Sequence, residues 1–183
     1  MSHDKTYVAL VHYPVRDKKN AIVTTAITNL DLHDIARSSR TYGLRGYFVV
    51  HPVEQQRAFA ERIVRHWESE GRHEFRRDAL AGVSVVPTIA DAVHAIEAKE
   101  GVRPTLVATS AKPLPACVGF GQVRDLAGPV LLLLGTGFGL DDSVTEKADL
   151  SLRPVYGPTD YNHLSVRSAC AILLDRLYGD RKD

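Results

Sequence analysis

Short apolar runs along the chain alternate with longer segments in which apolar residues recur every three or four positions. The short runs have the length of β-strands, and the longer pattern is typical of amphipathic helices. Strands are predicted at residues 6–12, 46–51, 83–86, 105–109, 130–134 and 150–155, and helices at residues 30–42, 53–71, 88–99 and 164–178. Such alternation is typical of βαβ units. The pattern therefore predicts an α/β fold with a mostly parallel sheet flanked by helices.

The run at residues 130–134 (VLLLL) is apolar at every position. Parallel strands that are buried on both faces show such continuous runs, so this strand is expected in the centre of the sheet. Thr88 is predicted to cap the helix that follows it, and Gly43 is predicted to end the helix before it. The segments 14–25 and 111–116 are polar or proline-rich and are predicted to be loops.

Composition changes this picture little. A length of 183 residues, with 44% hydrophobic and 25% charged residues, is that of one globular domain, which we expect to span residues 1–183. The formal net charge of +1 predicts no wide basic surface, so any contact with RNA needs local patches. The two cysteines, Cys117 and Cys170, show no metal-ligand spacing, so we expect reduced thiols and no metal site.

The first residues of the chain are polar and lack the apolar core of a signal peptide. The apolar run at residues 130–134 is too short to cross a membrane. We therefore expect a cytoplasmic protein.

Three glycines at alternate positions, Gly135, Gly137 and Gly139, directly follow the predicted central strand. Glycine lets a backbone turn sharply and approach a ligand closely, and parallel sheets bind ligands beyond the carboxyl ends of their strands. The loop is therefore a candidate cofactor site, and a tight turn between strand and helix is the alternative. A dinucleotide site would show GxGxxG and an acidic residue after the next strand, and the sequence has neither. The sequence also lacks a phosphate-binding GxxxxGK[ST] motif.

The segment at residues 157–167 concentrates polar side chains at the start of the last predicted helix. A helix start needs one capping residue, and either Asp160 or Asn162 is suitable. The segment also holds a tyrosine, a histidine, a serine and an arginine, which is more than a cap requires. This density indicates ligand contacts at the N-terminus of the helix.

The predicted helix at residues 30–42 has one apolar face and a second face that carries His33, Arg37 and Arg40 at helical spacing. A solvated charged face would explain the pattern. A face that contacts RNA phosphates or bases would explain it too, and arginine suits that role better than lysine.

Together the three segments resemble the motifs of the SPOUT family of RNA methyltransferases. Arg37 lies on a helix six residues before Gly43, as in the first motif of the family. Residues 131–140 (LLLLGTGFGL) resemble the second motif, with Thr136 where many members have glutamate. Residues 162–172 (NHLSVRSACAI) resemble the third motif.

The chain resembles one small bacterial branch of that family more closely. Members of the branch share, with little change, the sequences found here at residues 12–15 (HYPV), 24–37 (TTAITNLDLHDIAR) and 160–169 (DYNHLSVRSA). This resemblance covers nearly the whole chain, and its long stretches make it more specific than any single motif.

The resemblance implies a C-terminal deep trefoil knot, a homodimer, and a site for S-adenosyl-L-methionine where three loops meet. Family members hold this methyl donor mainly through backbone groups. The residues that the resemblance assigns to the donor site are Thr109, Ser110, Ala111, Leu134, Gly135, Thr136, Gly137, Gly139, Leu140, Leu152, Pro154, Asn162, His163, Leu164 and Ser165.

The resemblance also implies transfer of the methyl group to RNA. The acceptor must be oriented and must lose a proton, and Arg37, Asp160 and His163 are the candidate catalytic residues. Arg37 is expected to reach a site that the partner subunit completes, and His33, Arg37 and Arg40 are the expected RNA contacts. The branch resembles enzymes that methylate guanine N1 in tRNA, which favours tRNA over rRNA. A knotted protein that binds the donor or RNA without catalysis is the alternative.

Overall fold

The computed structural model describes residues 2–68 and 74–180, in which a 3-10 turn at Ser2–Lys5 precedes the first strand. The strands of these ranges are β1 Thr6–Val11, β2 Val15–Arg16, β3 Ile22–Val23, β4 Gly46–Val50, β5 Val83–Val86, β6 Thr105–Ala108, β7 Cys117–Val118, β8 Val130–Gly135 and β9 Leu150–Leu152. The α-helices are α1 Asn29–Thr41, α2 Glu54–Glu68, α3 Glu74–Leu80, α4 Ile89–Glu100, α5 Phe120–Arg124, α6 Asp142–Thr145 and α7 Val166–Tyr178.

Seven strands form one sheet in the order β5-β4-β1-β8-β6-β9-β7, and each neighbouring pair is parallel. β8 lies in the middle, where Val130 is aligned with Thr6 of β1 on one side and Thr105 of β6 on the other. The predicted α/β fold with a mostly parallel sheet is confirmed. The central place predicted for the strand at residues 130–134 is also confirmed.

Side chains of β8 alternate between two apolar cores, one on each face of the sheet. Leu132 and Leu134 pack into the larger core, to which α1, α2, α3 and α7 contribute. Leu131 and Leu133 pack into the smaller core, to which α4 contributes Ile96. Helices thus flank the sheet on both faces, as the alternation of elements predicts.

The limits of the first and fourth helices follow from local chemistry. Thr28 caps α1, and Gly43 adopts a φ of 69° just past its end, as predicted for the helix stop. Thr88 caps α4, as predicted, and forms a capping box with Asp91. The predicted apolar face of α1 is buried in the larger core, with Leu32, Ile35 and Ala36 as its members.

The prediction of a loop at residues 14–25 is wrong, because β2 and β3 form an antiparallel hairpin there. Its strands have two residues each, too few to show an alternating pattern in the sequence. The carboxylate of Asp17 accepts hydrogen bonds from the backbone amides of Lys19 and Ala21 and so closes the turn.

Two predicted element ends also need correction. The strand predicted at residues 150–155 ends at Leu152, and Pro154 two residues later has no amide with which to extend a ladder. The last helix begins at Val166 rather than residue 164, with Ser165 as its cap. Neither Asp160 nor Asn162 caps this helix, because the amide of Ser168 bonds the Ser165 hydroxyl.

The short elements α3, β7, α5 and α6 were not predicted, since each has seven residues or fewer and shows little periodicity. The last three residues of the helix predicted at 53–71 lie outside the described ranges. Both cysteines are free, as expected. Within the ranges that the structure describes, no helix has the length and apolar character needed to cross a membrane.

Candidate functional site

The sheet is parallel, so the carboxyl ends of β1, β6, β8 and β9 all lie at the same edge. Loops that follow these strands contain the residues predicted for the donor site, namely 109–111 after β6, 136–140 after β8 and the segment from Arg153 after β9. Ligands of open parallel sheets bind beyond this edge. The fold therefore brings the three predicted segments to the place where a ligand is expected.

Asn162 ties two of these segments together. Its side-chain amide donates a hydrogen bond of 2.7 Å to the carbonyl oxygen of Ala111. The loop at 109–111 is in turn bound to the sheet, because the Thr109 hydroxyl donates to the carbonyl oxygen of Leu133, at 2.9 Å. Asn162, which was predicted to contact the ligand, thus also holds the segment before α7 against the loop at 109–111.

The glycine loop at residues 135–140 is folded against the β2–β3 hairpin. Phe138 donates its amide to the carbonyl oxygen of Arg16, and Arg16 donates its amide to the carbonyl oxygen of Gly139, both at 2.9 Å. Gly137 has a φ of 60°, and a Cβ added to it would lie 2.9 Å from the same Arg16 oxygen. Gly137 is therefore required by the close approach of the hairpin.

Gly139 differs from Gly137 in its surroundings. It has a φ of 108°, and a Cβ added to it would meet no atom within 4 Å. The backbone here is open on the side away from the hairpin. Phe138, next to it, has 70% of its side chain exposed.

Arg16 also holds the chain that leaves the glycine loop. Its guanidinium lies 2.7 Å from the buried carboxylate of Asp141 and 3.0 Å from that of Asp142. Hydrogen bonds from Ser143, followed by the charge of Arg16, hold the pKa of Asp141 below its ordinary value. Asp141 is thus an anion that fastens the hairpin to the start of α6.

Thr136 lies inside the protein, with its hydroxyl donating to the carbonyl oxygen of Val11 at 3.1 Å. Because that hydroxyl has a single proton, it accepts the hydrogen bond that links it to the Thr25 hydroxyl. Thr25 then accepts from Nδ1 of His12, at 2.9 Å. The result is a polar chain from His12 through Thr25 and Thr136 to the end of β1.

His51 completes this buried polar cluster. Its Nε2 donates to the carbonyl oxygen of Thr25, at 2.9 Å, and its Nδ1 accepts from the amide of Val53, at 3.1 Å. That pattern requires the neutral ring. His12 lies with its ring centre 5.4 Å from that of His51, and burial, followed by the repulsion of His51, lowers the pKa of His12 to about 4.

Sequence reasoning did not assign a role to His12, Thr25 or His51. Two signals were available, because His12 and His51 are each the last residue of a predicted strand, and His12 and Thr25 lie in stretches shared with the related branch. Histidines at the ends of two neighbouring parallel strands are expected to lie close together.

The start of α1 is joined to the start of α7. The guanidinium of Arg167 lies 3.3 Å from the carboxylate of Asp31 and 3.4 Å from that of Asp34. These ion pairs connect the first predicted motif with the third, so all three motifs are linked by described contacts.

The three residues predicted to contact RNA lie further along α1. His33 and Arg37 line a cavity between α1, α2 and the start of α3, together with Arg62 and Trp67 of α2. Arg40 is exposed. Within the described part of the chain, no hydrogen bond or ion pair joins Arg37 to the glycine loop, so this protomer does not by itself bond Arg37 to the predicted donor segments.

The predicted donor residues fall into two groups by burial. In the first group the side chain is buried, so only backbone groups of the residue can contact a ligand. This group consists of Leu134, Thr136, Leu140, Leu152 and Pro154. Exposed or half-exposed positions are Thr109, Ser110, Ala111, Gly135, Gly137, Gly139, Asn162, His163, Leu164 and Ser165. The candidate catalytic residue Asp160 is exposed, and the ring of His163 lies 5.4 Å from that of Tyr161.

Comparison with known proteins shows the family. Residues 5–179 match the family model described as SAM-dependent RNA methyltransferase, where SAM is S-adenosylmethionine. The chain therefore belongs to this family, as its resemblance to the SPOUT enzymes predicts.

Among its relatives is a protein of Oleidesulfovibrio alaskensis named tRNA (guanine-N(1)-)-methyltransferase, which is 46% identical over 179 residues. That match covers 95% of this chain and 42% of the relative, so the chain spans less than half the length of that protein. An uncharacterised protein of Aquifex aeolicus is 38% identical, over 97% of this chain and 90% of its own length.

Solved structures agree with the fold. The TrmH/SpoU tRNA modifying enzyme of A. aeolicus superposes with a TM-score of 0.57 and 15% identity, over 96% of this chain and 74% of that one. At this level of identity the similarity concerns the fold alone.

We predict that Gly137→Ala destabilises the protein more than Gly101→Ala, which serves as a matched control. Both glycines have φ near the left-handed region, at 60° and 75°, where an L-residue costs about 1–2 kcal/mol. Only at Gly137 would the new methyl group also press on a backbone oxygen. Denaturant unfolding should show at least about 1 kcal/mol of additional loss for Gly137→Ala. Equal losses would mean that the hairpin moves aside freely.

We also predict that acid weakens the fold through His12. Its pKa is about 4 in the folded protein and 6.5 ordinarily, so between these values the unfolded chain binds more protons. The free energy of unfolding should therefore fall by roughly 3 kcal/mol as the pH drops from above 6.5 towards 4. His12→Asn keeps a donor for Thr25 but does not titrate, so thermal unfolding of this variant should depend less on pH. An unchanged pH dependence would contradict the assignment.

Proposed function

We propose that this chain binds S-adenosylmethionine at the carboxyl edge of its sheet and transfers the methyl group to RNA. The acceptor that we propose is guanine N1 of a tRNA. One observation carries the proposal: in a chain of the SAM-dependent RNA methyltransferase family, the three loops that contain the predicted donor residues follow β6, β8 and β9 at one edge of a parallel sheet, where Asn162 bonds Ala111. The name of the O. alaskensis relative supports the choice of tRNA and of guanine N1.

The residues at this edge suit the donor. Adenosine has polar edges that backbone groups can bond and a flat ring that apolar side chains can cover. The open backbone at Gly139 offers the first kind of contact. Exposed side chains of Phe138, Tyr156 and Tyr161 on the same loops offer the second.

When bound, the donor supplies an electrophilic methyl carbon. The protein has to hold the acceptor nitrogen in line with that carbon, and it has to receive the proton that leaves guanine N1 as the new bond forms. We propose Asp160 and His163 as the proton acceptors, because both are exposed on the segment that Asn162 fastens to the donor edge. We propose that Arg37 holds an oxygen of the acceptor nucleotide.

A homodimer would reconcile the position of Arg37 with this role. In one protomer Arg37 lies in the cavity between α1 and α2, so we propose that it completes the donor site of a second copy. We propose that both copies act in the cytoplasm and that residues 1–183 form one domain.

We further propose the deep trefoil knot. β9 lies between β6 and β7 although it follows both in the chain. The C-terminal segment also contacts the connection between these two strands, residues 109–116, because Asn162 donates to the carbonyl oxygen of Ala111. The strand order and this contact together support threading of the C-terminal segment past that connection.

Calorimetric titration tests the donor site directly. S-adenosylmethionine is expected to bind with micromolar affinity, and NAD, used as the control ligand, is expected not to bind. Binding of NAD alone would overturn the proposed site. Binding of the donor without methyl transfer to bulk bacterial tRNA would instead favour a non-catalytic binding protein.

The role of Arg37 has its own test. Arg37→Ala should lower methyl transfer to bulk tRNA by at least about 100-fold while leaving donor affinity within about twofold, since the residue faces the acceptor. Arg65→Ala is the matched control, because Arg65 is an exposed arginine that pairs with Glu61 on α2. Transfer that survives in Arg37→Ala at the level of the control would reduce Arg37 to a surface charge.

A further inference from the structure

A basic groove lies between α1, α2 and the start of α3. Its cavity volume is about 520 Å³, and His33, Arg37, Arg62, His66, Trp67 and Arg76 are among the residues that line it. Only His33 and Arg37 of this group were anticipated from the sequence, because the other members belong to different elements. The exposed face of α1 is thus one wall of a concave site.

Within the part of the chain that the structure describes, no ion pair neutralises the positive charge of the basic groove. Arg37, Arg62 and Arg76 form no ion pair with any carboxylate that the structure describes. Among the described lining residues the one carboxylate is Asp34, which is already paired with Arg167, at 3.4 Å. Three guanidinium groups around one cavity therefore await an anionic partner.

The pKa of His33 also indicates a positive electrostatic potential in the groove. Burial lowers its pKa first, and the nearby charges of Arg76 and Arg37 lower it further, against the opposing effect of Asp34. The groove thus disfavours an additional positive charge. An anion that entered it would relieve this repulsion.

The groove also contains an aromatic ring among the cations. The guanidinium of Arg76 lies 4.8 Å from the centre of the Trp67 ring, and the ring of His33 meets Trp67 edge-on at 5.6 Å. Unpaired bases stack on aromatic rings and on guanidinium planes, and phosphates bind arginine. An acidic protein segment would need the cations but would gain little from the aromatic surface.

We propose that the basic groove binds a single-stranded segment of the RNA substrate, with its phosphates on Arg62 and Arg76 and an unpaired base against the Trp67–Arg76 surface. This inference rests on the proposed function for the identity of the RNA. Arg37 lines the same groove, so RNA held there would lead towards the residue proposed to face the acceptor.

The chain contains a single tryptophan, so emission excited at the red edge of the absorption band, where tyrosine does not absorb, reports on Trp67 alone. Titration of the intact protein with bulk bacterial tRNA is expected to quench this emission in parallel with binding measured by filter retention. Poly-L-glutamate, which carries negative charge without bases, is the control polymer and should leave the emission unchanged. Equal quenching by both polymers would overturn the assignment to RNA.

Charge removal tests the phosphate contacts. Arg62→Ala with Arg76→Ala should weaken tRNA binding by about tenfold or more at physiological salt, and it should lower the slope of log affinity against log salt by about 1.4, because each lost single-strand phosphate contact accounts for about 0.7. Arg65→Ala with Arg77→Ala is the matched control from the same helices, where each arginine has a carboxylate neighbour, Glu61 or Asp78.

The outcomes separate the two proposals. In one outcome, donor binding and methyl transfer are normal, tRNA does not quench Trp67 emission, and the two double variants bind tRNA equally well. This outcome would overturn the RNA-binding role of the groove and leave the proposed function standing. Quenching and loss of RNA affinity without any methyl transfer would retain the groove and overturn the catalytic function. Loss of RNA binding through dissociation of a dimer, seen by sedimentation in Arg62→Ala with Arg76→Ala, would assign the groove to subunit contact and overturn this inference.

Discussion

Parallel pairing of β8 with both β1 and β6 determines where chemistry can occur in this protein. The three strands are buried, and their carboxyl ends leave the sheet at the same edge. Backbone groups beyond that edge lose their ladder partners and have to find others. They find them in the hairpin and in the Asn162 amide, so the same contacts that satisfy the backbone also bring the predicted site segments together.

The β2–β3 hairpin determines which side of the glycine loop a ligand can reach. Backbone bonds with Arg16 occupy one side of the loop, and the ion pair of Arg16 with Asp141 fixes the chain just after it. Thr136 turns inward to the Thr25–His12 polar chain instead of facing the ligand side. The position at Gly139 is left open, so the geometry of the proposed donor site depends on a hairpin that contributes no predicted donor residue.

Sequence periodicity was sufficient for the parts of the fold that are defined by burial. The continuous apolar run of β8 predicted its central position, and the apolar stripe of α1 predicted its buried face, since both follow from removal of side chains from water. The glycine loop and the polar segment before α7 were placed correctly at one edge for a related reason, because parallel strands determine where their loops lie.

Features that depend on contacts distant in sequence could not be predicted in this way. The hairpin has strands too short for periodicity, and Thr136 is bonded to residues more than a hundred positions away. Ser165 caps α7 although Asp160 and Asn162 were equally suitable by type. Gly137 suggested room for a ligand, whereas the structure shows a close approach of protein backbone. In each case the residue type is compatible with several conformations or partners, and contacts with residues distant in sequence determine which one is formed.

The net charge of the chain is near zero, but acidic and basic residues are separated along α1. In the first half of the helix, Asp31 and Asp34 are bound by Arg167, which joins α1 to the segment that carries several of the predicted donor residues. About one turn after Asp34, Arg37 lies among cations that the described chain does not neutralise. A donor held through backbone and neutral side chains needs little charge, whereas an RNA chain needs a concentrated one. Under the proposed function both needs are met, because the carboxylates of α1 serve internal ion pairs and its arginines remain available to RNA. The net charge of the chain is therefore a poor guide to RNA binding, and the positions of the charged residues along α1 are a better one.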